Sequence, residues 1–180
     1  MNPATLQTAE DLLRYREPGK TAELVRGMLV VREPPSTHHG RCANRLAYRL
    51  TQFVERHDLG EVFAQDTGFK IAREPDTVRA PDVAFVARNR LSQVSETGYA
   101  ELAPDWVAEI LSPGDRPGEV LEKIGQWLDA GVRLVWVLDP TRRAARVYRS
   151  DGTVAMLGSE DDFDGEDVFP GFRIPLGELI

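Results

Sequence analysis

Apolar residues fall at helical spacing in two stretches of the chain and in near-continuous runs in three others. Between Thr37 and His57, the residues Leu46, Leu50, Phe53 and Val54, with Cys42 and Ala43 a turn earlier, share one face. That spacing predicts an amphipathic helix, with Gly60 near its C-terminal cap. Val120, Ile124, Trp127 and Leu128 make a second stripe. This helix is predicted from Pro117, a first-turn residue, to Ala130, with Gly131 as its cap. The runs Asp82–Ala87, Asp105–Leu111 and Val132–Leu138 read as strands covered on both faces.

Weaker patterns complete the outline. Residues 8–17 predict a short helix, capped by Thr8 with Asp11 three positions on. Residues 22–33 predict a hairpin turning at Arg26-Gly27, after which Pro34-Pro35-Ser36 breaks the strand. Glu61–Ala64 continuing through Phe69–Ala72 reads as one strand, and residues 88–104 as a polar loop with a short helix. Ser112-Pro113-Gly114-Asp115 is a breaker cluster. Residues 145–149 and 153–157 flank Asp151-Gly152 as a C-terminal hairpin. The acidic run 161–167 reads as a solvated loop, and Phe169-Pro170-Gly171-Phe172 as an anchor for the C-terminus. No internal repeat or composition break divides the chain, so the expectation is one α/β domain over 1–180.

Composition narrows the class. With 180 residues the chain can bury one core, and 42% hydrophobic with 28% charged residues is ordinary for a soluble protein. No run of about twenty apolar residues exists to span a membrane. The polar, early-acidic start reads as neither a secretory signal nor a transit peptide. A single cysteine, Cys42, allows no internal disulfide and makes a reducing cytoplasm the default; it reads as a small core residue. No P-loop, dinucleotide fingerprint, nucleophile elbow or zinc cluster is present.

Two carboxylates change the picture. Asp82 opens its strand and Glu109 lies near the end of the next, so antiparallel pairing would bring both to one sheet edge. Glu109 interrupts an apolar run, and a buried unpaired carboxylate is costly. A bound dication relieves it, and hard oxygen ligands suit Mg²⁺ or Mn²⁺. Pairing with one of the arginines is the alternative for Glu109, and strand-start turn chemistry the alternative for Asp82. The net charge of -7 argues against coating nucleic acid by charge alone. It leaves room for metal-assisted chemistry, because metal-holding carboxylates raise the acid count.

Only Lys20, Lys70 and Lys123 are lysines among 22 basic residues. Lys123 borders the buried stripe of its helix and can lay its stem on the sheet, aiming its amine at the carboxylate edge. A phosphodiester reaction needs such a cation. Snorkelling to water is the alternative. Gln126, a turn further on, could touch a phosphate, but a bland surface role is favoured. His38-His39 read as turn and capping residues in preference to phosphate or metal contacts, and His57 as a helix-end residue.

The segments RAPDVAFV (79–86), WVAEILSPGD (106–115), EKIGQWLDAGVRLVWVLDP (122–140) and AELVRGMLVVREPPSTHHG (22–40) resemble the Uma-type restriction endonuclease family, part of the PD-(D/E)XK nuclease superfamily. The resemblance implies a restriction-endonuclease-like fold, a central mixed β-sheet flanked by α-helices. It implies Asp82 and Glu109 as metal ligands, with the backbone carbonyl of Ile110 completing the shell. Glu23 occupies a position acidic in the family, as a second ligand or a water-orienting group; a solvated strand residue is the alternative. The superfamily lysine should fall at Leu111, and the family is similar to this chain in moving it to the next helix, where Lys123 stands. The implied function is a Mg²⁺- or Mn²⁺-dependent endonuclease acting on DNA, less readily RNA. The alternatives are a catalytically inactive binding or regulatory module, and a hydrolase of another phosphoester. A homodimer would suit cutting both strands of a duplex.

Overall fold

Strands that are apolar on both faces need a layer on each side, and this requirement organises the molecule. The computed structural model describes residues 7–180; Met1–Leu6, the beginning of the polar start, lie outside the described residues. Along the chain the elements are α1 (Ala9–Arg14), β1 (Thr21–Val25), β2 (Met28–Arg32), α2 (Thr37–His57), β3 (Gly60–Ala64), β4 (Phe69–Ala72), β5 (Thr77–Arg79) and β6 (Val83–Ala87). A 3₁₀ turn over Arg88–Gln93 leads on to β7 (Trp106–Ile110), α3 (Pro117–Asp129), β8 (Leu134–Asp139), β9 (Ala144–Arg149) and β10 (Val154–Gly158). The chain ends in β11 (Asp162–Asp164), β12 (Arg173–Pro175) and α4 (Leu176–Leu179).

The central sheet is mixed, in the order β10-β9-β8-β7-β6-β3. β6 and β7 run antiparallel, while β7 and β8 are parallel and joined by the α3 crossover. Alternation along each strand divides the side chains between two cores. Val83, Phe85, Trp106, Ala108, Trp136 and Leu138 face α2 and the C-terminal segment. Ala84, Val86, Val107, Val135 and Val137 face α3, where Ile124 and Trp127 cover them. A second sheet, β2-β1-β5-β4, carries the N-terminal hairpin. The hairpin turns where expected, with Arg26 and Gly27 both at positive φ, the backbone of a tight two-residue turn.

Several expectations are corrected. Glu61–Ala72 is not one strand: β3 joins the central sheet and β4 the second, separated by a turn at positive-φ Asp66. β5 was not expected at all. Its three residues are buried and pair with both β1 and β4. α2 is closed by Asp58 in the left-handed conformation, not by Gly60, which begins β3. α1 ends at Arg14, short of residue 17. The acidic run is not a solvated loop, because Phe163 is fully buried and β11 pairs with β12.

Candidate active site

The β6–β7 register places Val83 beside Ala108, so Asp82, one residue before β6, falls opposite Glu109 on the face that α3 covers. The Asp82 N–H donates to the Ala108 carbonyl at 3.1 Å, extending the ladder to that position. Asp82 Oδ2 accepts from the Ile110 N–H at 2.6 Å and lies 3.1 Å from His39 Nε2, while Oδ1 meets Gln65 Nε2 at 3.4 Å.

Glu109 is buried, 8% exposed. Its Oε2 accepts from Lys123 Nζ at 2.8 Å and its Oε1 from the Trp127 indole N–H at 2.8 Å. Both partners come from α3, four residues apart and therefore on one side of the helix. The alternative of an arginine partner for Glu109 is not what the fold adopts.

Lys123 does not snorkel to water. Its amine also meets Glu23 Oε1 at 3.2 Å and donates to the Ala80 carbonyl at 3.2 Å. Glu23 is not a solvated strand residue. It is 7% exposed, accepts from Arg79 Nη1 at 2.7 Å and from the Ala80 N–H at 2.9 Å. Gln126 accepts from Arg79 Nε at 2.7 Å, so its place is structural.

Burial works against the charged form of all three groups, and the neighbours decide the outcome. Lys123 is held protonated, its pKa raised because Glu109, Glu23 and Asp82 outweigh desolvation. Glu23 is lowered to about 2, since Lys123 and Arg79 overcome its burial. Glu109 is pushed up to about 7: desolvation leads, Asp82 and Glu23 add to it, and Lys123 opposes.

The side chains border a cleft of about 970 Å³ walled by β1, β2, the start of α2 and the Ser112–Arg116 loop. Asp82, Glu109, Ile110, Lys123 and Glu23 all line it. His38 does not line it and is exposed. His39 is the residue that capping logic undervalued. Its backbone N–H is held by Ser36 Oγ at 3.3 Å, as a cap requires, yet the residue is 6% exposed and its ring is turned onto Asp82. Its pKa is raised because the bond to Asp82 and that charge outweigh burial. Trp127 and Arg79 were also missed. Trp127 carried only a core signal, and Arg79 only its place beside Pro81-Asp82. Leu111, at the usual lysine position, packs against the α3-side core.

An N-terminal hairpin, a helix leading to the site, a Pro-Asp strand start and a buried Glu on the next strand form one chain-long pattern. Residues 9–177 match the Uma2 family, described as "putative restriction endonuclease". The chain belongs to the Uma2 family. Membership supports nuclease activity, and with it nucleic acid as the substrate class. The fold is also that of the crystal structure of "a putative nuclease belonging to DUF820" from Anabaena variabilis, with a TM-score of 0.81 and 20% identity over 96% of each chain. No curated protein matches the chain. No helix of the described residues is long and apolar enough to cross a membrane.

Proposed function

We propose that this Uma2 chain is a divalent-metal-dependent endonuclease that hydrolyses phosphodiester bonds in DNA, with Asp82, Glu109 and Lys123 as its working residues and Glu23 in support. The observation that carries the reading is the convergence of Asp82, Glu109 and Lys123, from three separate elements, on one wall of an open cleft.

The donor set suits Mg²⁺ or Mn²⁺. Asp82 and Glu109 would hold the ion. Mg²⁺ characteristically takes one or two carboxylates and keeps several waters. Among the described residues no three His, Cys, Asp or Glu side chains form a metal cluster, so further positions would fall to water, to substrate and, as the family resemblance implies, to the Ile110 carbonyl. Glu109 is raised to about 7 by its burial first, with the neighbouring carboxylates adding to it, and a cation bound beside it would favour its ionised form. When bound, the ion supplies Lewis-acid stabilisation and a more acidic water. The chain supplies the rest. Lys123 provides fixed positive charge for the phosphate as negative charge builds on it. Glu23, braced by Arg79 and the Ala80 N–H, positions the Lys123 amine. The Ile110 N–H and His39 orient Asp82 through Oδ2, leaving Oδ1 the less engaged oxygen.

One observation favours a catalytically inactive binding module instead: both Glu109 oxygens already have hydrogen-bond partners. Nicking of supercoiled plasmid with Mg²⁺ or Mn²⁺ separates the two. The wild type should nick, and Asp82→Ala, Glu109→Ala and Lys123→Ala should each lose about 100-fold or more. A wild type inert on every DNA with either ion would overturn the endonuclease reading.

A further inference from the structure

The cleft is poorly suited to gathering a polyanion. Seven carboxylates line it against four lysines and arginines, and the whole chain carries -7. Affinity for a phosphate backbone must therefore come mainly from another surface. The helix α2 offers one. It holds four arginines and one glutamate, whereas the rest of the chain holds eighteen basic and twenty-eight acidic residues.

Arg41, Arg45, Arg49 and Arg56 are all exposed. At about 100° per residue they fall within a sector of roughly 80°, extending about 22 Å along the helix. Tyr48 and Gln52 border the same sector and are exposed too. Among the described residues only Arg49 has an ion-pair partner, Glu178 at 3.0 Å. Arg41 and Arg45, and Arg45 and Arg49, are like charges four residues apart, an arrangement that weakens a helix unless counter-charge is supplied. The N-terminal end of α2 enters the site, where Ser36 and His39 line the cleft; Arg41 follows two residues on, and the four arginines lie outside the cleft lining, on the outer side of the same helix.

We infer that the outward arginine stripe of α2 is a docking surface for the phosphate backbone of a nucleic-acid duplex, delivering it to the adjacent cleft. The inference rests on the nuclease reading above. Guanidinium forks match phosphate oxygens, and a straight, rigid row of cations suits the rod of a duplex. A single strand would be better served by several aromatic platforms, and the stripe carries one, Tyr48.

Fluorescence anisotropy with a 20-base-pair labelled duplex (a length of about two helical turns), in EDTA and across a salt series, tests the stripe apart from chemistry. The triple variant Arg41→Ala, Arg45→Ala, Arg56→Ala should bind on the order of tenfold more weakly or worse near 0.1 M salt. Its slope of log K against log salt should shrink by about 2 to 3. The corresponding Arg→Lys triple should keep most of that slope. A charge-matched control, Arg14→Ala, Arg143→Ala, Arg146→Ala, should bind like wild type. Circular dichroism melts confirm that each variant folds.

Wild-type affinity and slope in the α2 triple would overturn the stripe and leave the nuclease reading untouched. Equal losses in the control set would overturn it too, by showing a net-charge effect. So would a stripe variant that binds duplex normally but breaks a wild-type dimer in sedimentation, because the occupant would then be a second copy. Plasmid nicking on the same preparations reads the other question. No nicking by a wild type whose duplex binding depends on the stripe would sink the nuclease reading and support the stripe.

Discussion

One ammonium serves two carboxylates, and this sharing sets the electrostatics of the site. Glu23 has Arg79 besides Lys123 and ends low; Glu109 has Lys123 as its cation and ends high. Their effects on stability have opposite signs. From its usual value of 4.5 up to about 7, Glu109 keeps a proton in the folded chain that the unfolded chain has released, so stability falls as pH rises through this window. Glu23 stabilises the fold above its usual 4.5, and that contribution, on the order of 3 kcal/mol, is lost as pH falls toward 2. Thermal melts in EDTA should therefore show Tm falling between pH 5 and pH 8, and Glu109→Gln should flatten that fall. An equally steep decline in Glu109→Gln would show that burial of Glu109 is not its cause. Added Mg²⁺ should raise Tm more at pH 8 than at pH 5, because it stabilises the ionised form of Glu109.

At the scale of elements, the site depends on how β6 is held. The helix α2 ends on Asp58 at φ 57°, and Gly60 then starts β3 at φ 155°. A Cβ on Gly60 would lie 2.1 Å from the Val86 carbonyl oxygen and 2.9 Å from the Arg88 nitrogen, both backbone atoms with no room to move aside. Gly60 therefore lets β3 lie directly along β6, opposite Ala87. Gly60→Ala should destabilise by about 3 kcal/mol or more, read as a lower urea midpoint. Because β6 carries Asp82 at its start, the variant should also lose nicking activity under conditions where it is still folded. An unfolding free energy within about 0.5 kcal/mol of wild type would contradict the close approach.

For the molecule as a whole, the layer covering the α2 side of the sheet is completed by the C-terminal segment. Phe163 is fully buried and stacks on Trp136 with centroids 4.1 Å apart and planes 15° apart. Phe169 packs edge-on against Phe85 at 4.6 Å and Trp106 at 5.5 Å. Aspartates on both sides of Phe163 turn outward; Asp164 pairs with Arg173 at 2.6 Å. Within the acidic run, Asp162–Asp164 is thus an alternating strand, polar outside and aromatic inside. Phe163→Ala should cost about 3 to 5 kcal/mol in urea unfolding, while Met156→Ala, at an exposed position on edge strand β10, should change stability by less than about 0.5 kcal/mol. A cost near zero for Phe163→Ala would mean the segment is an appendage and not a core layer.

Periodicity by itself indicated the two main helices, the three doubly covered strands and the N-terminal turn: the helices and the turn rest on contacts within a few residues, and the strands show as apolar runs whatever their partners. It also marked Glu109 as a misfit in an apolar strand and offered Asp82 as its neighbour if the two strands paired antiparallel; the register that sets them opposite came with the fold, because the 18 residues between β6 and β7 fix none. Helix-face spacing offered Lys123, and the family resemblance supported it because Leu111 fills the usual lysine position. Only the tertiary structure decided that Lys123 reaches Glu109 and Glu23 together, that Trp127 and His39 each hold one of the carboxylates, and that Arg79 braces Glu23. It also decided that β3 and β4 belong to different sheets and that three-residue β5 exists. These outcomes depend on which distant segments pair and on the side to which a helix face is turned. Local propensity contains neither, because most of the hydrogen bonds and buried charges that settle them join residues more than a dozen positions apart, the short-range β4–β5 pairing excepted.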